Sequence, residues 1–172
     1  MGVFMASVAF TAPEQSRWVQ IKPQIEAMFK GVEGLTDNLS TDGTGFAIVS
    51  PYGDMGMFLA ELPEKISALT GGWAVFANCC DSDFALLELY HNGELVEKSC
   101  IGECYYEEFE DFDGCTEPDV SNWMPLLLDA GRLQELELAL GEVEVFAEAN
   151  LRLLSILTGM PIFEDSLVFG EE

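Results

Sequence analysis

The chain has 172 residues, with thirty-one Asp and Glu against seven Lys and Arg, a formal net charge of −24. That length fits one domain, and the high apolar content argues against disorder and allows a core that needs neither metal nor disulfides. A carboxylate excess on this scale repels nucleic acid and anionic membranes, because both are gripped through Lys and Arg.

In chain order, "VFMASVAF" (3–10) predicts a largely buried first strand, bounded by a turn at Pro13. Trp18, Ile21, Ile25, Met28 and Phe29 then recur at helical spacing, with Pro23 placed to start or kink that helix. "GVEGLTDNLSTDGTG" is a turn-rich loop, and "FAIVS" (46–50) is a short strand stopped by Pro51-Tyr52-Gly53. Asp54 is the expected N-cap of a helix reaching about Leu69, with Met55, Phe58, Leu59, Leu62, Ile66 and Leu69 on one stripe. Pro63 threatens a kink there, and Gly71-Gly72 ends the helix.

Three strand-like runs follow, "WAVFANCC", "FALLELYH" and "ELVEKSCI". Asn92-Gly93 between the last two marks a tight hairpin, since both central residues of a type I′ turn need positive φ. Leu87, Leu89 and His91 are expected on one face, with Ala85, Glu88 and Tyr90 on the other. The segment 101–121 reads as loop. From about Asn122 the chain turns helical, with stops at Gly131, Gly141 and Gly159 and with Phe146, Leu151, Leu154 and Leu157 toward the core. The expectation is a single α+β domain over 1–172. Its mixed sheet of about five strands, in the order β-α-β-α-β-β-β, has helices on one face and a C-terminal helical segment.

The longest apolar runs are too short to cross a bilayer, and "MGVFMASVAF" lacks the basic start and cleavage site of a signal peptide. With five cysteines, an odd number, a secreted disulfide framework is not indicated, and a cytoplasmic location is expected. The cysteine spacings (79/80, 100/104, 104/115) miss the paired pattern of zinc ligands, and His91 alone cannot complete a set. Cys79 and Cys80, adjacent in a strand, should face opposite sides. His91 sits at a strand end before a turn, a poor place for a triad. Asp81-Ser82-Asp83 reads as a chain turn. Asp111, Asp113 and Gly114 echo a calcium loop but lack its Gly and Glu in register. No catalytic residue, metal ligand or cofactor site is therefore assigned.

The distinctive stretch is "ECYYEEFEDFDGCTEPD", lying in a window from Lys98 to Arg132 that contains no other basic residue. Tyr105, Tyr106, Glu107, Glu108, Phe109, Glu110, Asp111 and Asp113 combine aromatic anchors with carboxylates, which suits docking of a basic, partly apolar protein. The expected function is non-enzymatic binding of such a partner. Alternatives are a small carboxylate- or metal-dependent hydrolase and a homo-oligomeric structural protein.

"DSD" followed by "LLELYHNGELVEKS", with "ANLRLLSILTGMP" as closing helix, resembles a group of bacterial proteins with no assigned activity. In that group an Asp-Ser-Asp turn precedes an Asn-Gly hairpin. Asp81, Ser82, Asp83, Asn92 and Gly93 match, whereas the acidic, cysteine-bearing insert after Ser99 departs from it. The resemblance implies a compact α+β fold. In general character the chain is also similar to immunity proteins that neutralise basic toxins, an analogy of acidity and size rather than of motif.

Overall fold

The computed structural model describes residues 2–33, 35–38, 45–50, 56–102, 114–163 and 165, with the backbone alone at 36–38, 45–50 and 56–57. The class is α+β. Strand β1 (Met5–Thr11) is followed by helix α1 (Gln15–Phe29), β2 (Thr36–Asn38) and β3 (Gly45–Ser50). Helices α2 (Gly56–Ala60) and α3 (Leu62–Thr70) lead into β4 (Trp73–Cys80), β5 (Phe84–His91) and β6 (Glu94–Gly102). Among the described residues, α4 (Val120–Trp123), α5 (Leu133–Leu140) and α6 (Ala147–Thr158) follow, with short 3-10 turns at Met124–Leu126 and Ala130–Arg132.

The sheet differs from expectation in two ways. Among the described residues it has six strands, ordered β2-β3-β1-β4-β5-β6, because Thr36–Asn38 in the supposed loop pairs with Val49–Ala47 of β3. It is also antiparallel at every strand pairing rather than mixed. Among the described residues, the one parallel contact is an isolated bridge, Ser99 with Thr116, outside the named strands.

Helices cover both faces, which corrects the one-sided arrangement. Side chains of a strand alternate sides, and both sets are apolar here. Ala6, Val8 and Phe10 of β1, with Ala74 and Phe76 of β4, pack under Trp18, Ile21, Ile25, Leu59, Leu62 and Ile66 of α1–α3. On the other side Met5, Ala9, Val75, Ala77, Leu87, Leu89 and Ile101 meet Trp123, Leu136 and the α6 residues Leu151, Leu154 and Leu157. Double coverage explains why "WAVFANCC" runs apolar without alternation. Ala85 shares the face of Leu87 and Leu89, not that of Glu88 and Tyr90 as expected, since residues two apart in a strand point the same way.

Pro23 sits inside α1 without ending it, and the side chain is exposed. Pro63 acts more strongly. The helix predicted as one piece is broken at Glu61, and Pro63 falls in the first turn of α3, where its missing N–H costs nothing. Gly71 ends α3 in the left-handed conformation at φ 68°, its N–H donating to Ser67 O at 2.8 Å. Asp54 and Met55 lie outside the described residues. Phe146, expected in the core, is instead the exposed residue preceding α6.

Candidate functional site

The residues singled out for partner binding, Tyr105, Tyr106, Glu107, Glu108, Phe109, Glu110, Asp111 and Asp113, lie outside the described residues. The structure does describe both flanks of that segment and the central hairpin.

In the hairpin, Asn92 (φ 50°) and Gly93 (φ 85°) make the expected turn. A register shift at Leu89/Tyr90 leaves an extra residue in β6, so Leu89 opposes Glu97 while Tyr90 opposes Leu95. His91 is exposed and its ring stacks on that of its cross-strand neighbour Trp73, centroids 4.2 Å apart. Cys79 and Cys80 diverge as expected, Cys79 to the α6 side and Cys80 to the α1–α3 side. Burial, with Glu148 adding to it, pushes the Cys79 thiol up to about 12, and burial also raises Cys80 and Cys115. None of these is a thiolate nucleophile near neutral pH. Cys100 is disulfide-bonded.

The Asp81-Ser82-Asp83 turn does more than reverse the chain. Asp81 and Ser82 both adopt positive φ, at 50° and 63°. Val3 N–H donates to Ser82 Oγ at 2.8 Å, Gly2 N–H to Asp81 Oδ1 at 3.0 Å, and Ala147 N–H to Ser82 O at 2.8 Å. Ser82 Oγ in turn donates to Glu148 Oε1 at 3.1 Å, in the first turn of α6, where a carboxylate is favoured by the helix dipole. One short turn thus ties the start of β1 to the start of α6. The other oxygen, Glu148 Oε2, is buried with no hydrogen-bond partner among the described residues.

A second buried carboxylate was not legible in the sequence. Glu97 of β6 is 7% exposed and accepts from Asp119 N–H (2.9 Å), Asn122 Nδ2 (2.8 Å) and Trp123 Nε1 (3.0 Å). It pins α4 to the sheet, and with the Thr116 backbone bonds to Lys98 and Cys100 it fixes the exit of the acidic segment.

Beside that exit lies a groove of about 780 Å³. Ile101 and Leu140 form its buried floor, with Val120 and Val143 half-buried beside them. Asp83 from the β4–β5 turn, Glu117, Glu137 of α5 and Glu142 stand around it, all four exposed. No Lys, Arg or His is among the described residues that line it. Concave walls of one charge sign focus the field, so the groove attracts cations more strongly than the same charges spread over a convex surface.

No protein-family model, no curated protein and no solved structure matches the chain. The likeness of the Asp-Ser-Asp turn and Asn-Gly hairpin to a bacterial group thus rests on those residues alone.

A general acid working near neutrality needs a raised carboxyl pKa. The described carboxyls with displaced pKa are all lowered: Asp119 by the Ser121 hydroxyl and amide, Glu135 by Arg132, and Asp165 by Arg152. Among the described residues no group of three or more His, Cys, Asp or Glu is placed to hold a metal ion. No described helix is long and apolar enough to cross a membrane.

The groove residues come from four separated stretches, at 83, 100–102, 117–120 and 137–145. Of these, Glu117 and Pro118 belong to the acidic stretch noted in the sequence. The others carried no local signal, because the topology brings them together.

Proposed function

We propose that the protein is a non-enzymatic binding protein that docks a basic protein partner through its acidic groove. The observation that carries this reading is a concavity with an apolar floor and four exposed carboxylates, without a described cation in its lining. Such a surface supplies an anchor site for an aliphatic side chain and steers Lys or Arg toward it. Gly102 and Glu117, on either side of the acidic-aromatic segment in the sequence, both line the groove. Neutralising a basic, nuclease-like toxin in the cytoplasm is one concrete version, and the overall charge of −24 disfavours nucleic acid or an anionic membrane as the direct ligand.

The test uses a fluorescent oligolysine peptide and the intact protein. Affinity should fall steeply between about 0.05 M and about 0.5 M salt, as screening shortens the reach of the groove's field. The D83N/E117Q/E137Q/E142Q variant, isosteric at each site, should bind weakly even at low salt. Binding indifferent to both salt and these four substitutions refutes the proposal.

A further inference from the structure

We infer that the groove takes one extended peptide segment of alternating basic and aliphatic residues, read partly through its main chain by the linker between α5 and α6. The inference rests on the groove being a docking site, as proposed above, and adds the form of the bound chain. The linker sequence over 141–146 is Gly-Glu-Val-Glu-Val-Phe, alternating acidic and apolar side chains. Its ends are fastened: Gly141 N–H closes α5 on Leu138 O at 3.3 Å, and Ala147 N–H bonds Ser82 O at 2.8 Å. Between them, among the described residues, the backbone N–H and C=O groups of Glu142, Val143, Glu144 and Val145 make no hydrogen bond.

These open groups border the groove, since Glu142, Val143 and Val145 all line it. An unpaired main chain beside an apolar trough is the arrangement used in strand addition, where main-chain bonds give affinity and alternate side chains give specificity. In an extended guest, successive side chains point to opposite sides. Aliphatic residues would meet Ile101 and Leu140, and the basic ones between them the carboxylates of Glu117, Glu137 and Glu142. The chain bends at Glu144 and Val145, which confines pairing to a short register around Glu142 and Val143. The volume, about 780 Å³, admits a single short segment rather than a folded surface.

The experiment uses the full chain and a short labelled peptide of alternating Lys and Val. Two further versions carry N-methyl groups, on the odd or on the even amides. Binding of the parent should slow amide hydrogen exchange over 142–145. One methylated set should bind roughly tenfold weaker, the consequence of one or two lost main-chain bonds of ordinary strength. Unchanged exchange at 142–145, equal affinity of all three peptides, or equal binding by the aliphatic polyamine spermine overturns the inference while leaving the charge-driven reading intact. Failure of the parent peptide to bind at low salt overturns both.

Discussion

Replacing Glu97 gives the sharpest test of how the groove is held in place. Three donors converge on this carboxylate, two of them on Oε2 and the indole of Trp123 on Oε1. Hydrogen bonds to a charged acceptor are each worth about 1.5–3 kcal/mol, and they are not additive when they share one acceptor. Glu97→Ala strands the buried indole N–H, leaves the Asp119 amide and Asn122 side chain without an acceptor, and opens a cavity. The expected loss is about 3–5 kcal/mol, a large part of the stability of an ordinary domain. Glu97→Gln keeps the shape but turns an NH₂ toward one of the donors, for a loss of about 2 kcal/mol. Asn122→Ala removes a single half-buried bond and should cost about 1.5 kcal/mol, the low end of that range. Equilibrium urea unfolding followed by tryptophan emission gives all three values. The emission of native Glu97→Gln should shift, because Trp123 is wholly buried against this site. A Glu97→Gln protein within about 0.5 kcal/mol of wild type, with unshifted emission, would refute the account of Glu97 as the clamp on α4.

Other expectations are independent of that clamp. Gly93→Ala puts a Cβ at φ 85° and within 3.0 Å of the Ala68 Cβ, so it should cost about 1–3 kcal/mol in thermal or urea unfolding, whereas Asn92→Gly should be nearly neutral. Leu87→Ala, in the fully buried centre of β5, should cost about 2–5 kcal/mol, read from the same urea curves. Cys79 titrates at about 12 in the folded chain against 9.0 for a free thiol, so folding favours its protonated form. Its contribution is complete below about pH 9 and is lost as pH rises toward about 12, at up to about 1.4 kcal/mol per pH unit. Tyr90, raised by burial and then by Glu88, adds alkaline sensitivity of the same sign. Cys79→Ala should flatten that part of the stability–pH profile, and an unchanged profile would count against the burial of this thiol.

Several features were legible because their signal is local. Asn92-Gly93 needs only its own φ angles, the stripe of Trp18, Ile21 and Ile25 needs only helical periodicity, and the divergence of Cys79 and Cys80 needs only the pleat. What failed depends on partners distant in sequence. Periodicity marks the buried side of a helix but not the side of the sheet it lands on, so the two-faced arrangement was missed. Thr36–Asn38 is too short and polar to announce a strand, and becomes one only because β3 offers it an edge. Glu97 looked like any solvated acid until α4 folded over it. The groove was unreadable for the same reason, its four carboxylates being separated by up to dozens of residues in the chain.

The position of β1 has a consequence for how the molecule is made. The strand that precedes all the others in the chain lies in the interior of the sheet, with Ala6 opposite Ser50 on one side and Asn78 on the other. Its Ser7 hydroxyl donates to Ile162 O at 2.7 Å, 155 residues further along the sequence. During synthesis this apolar strand therefore emerges long before any of its neighbours exists, and contacts of such long sequence separation form slowly. Even after β3 has emerged, one edge of this strand stays open and aggregation-prone until β4 has left the ribosome. The same strand serves both helical layers, giving Ala6, Val8 and Phe10 to one and Met5 and Ala9 to the other.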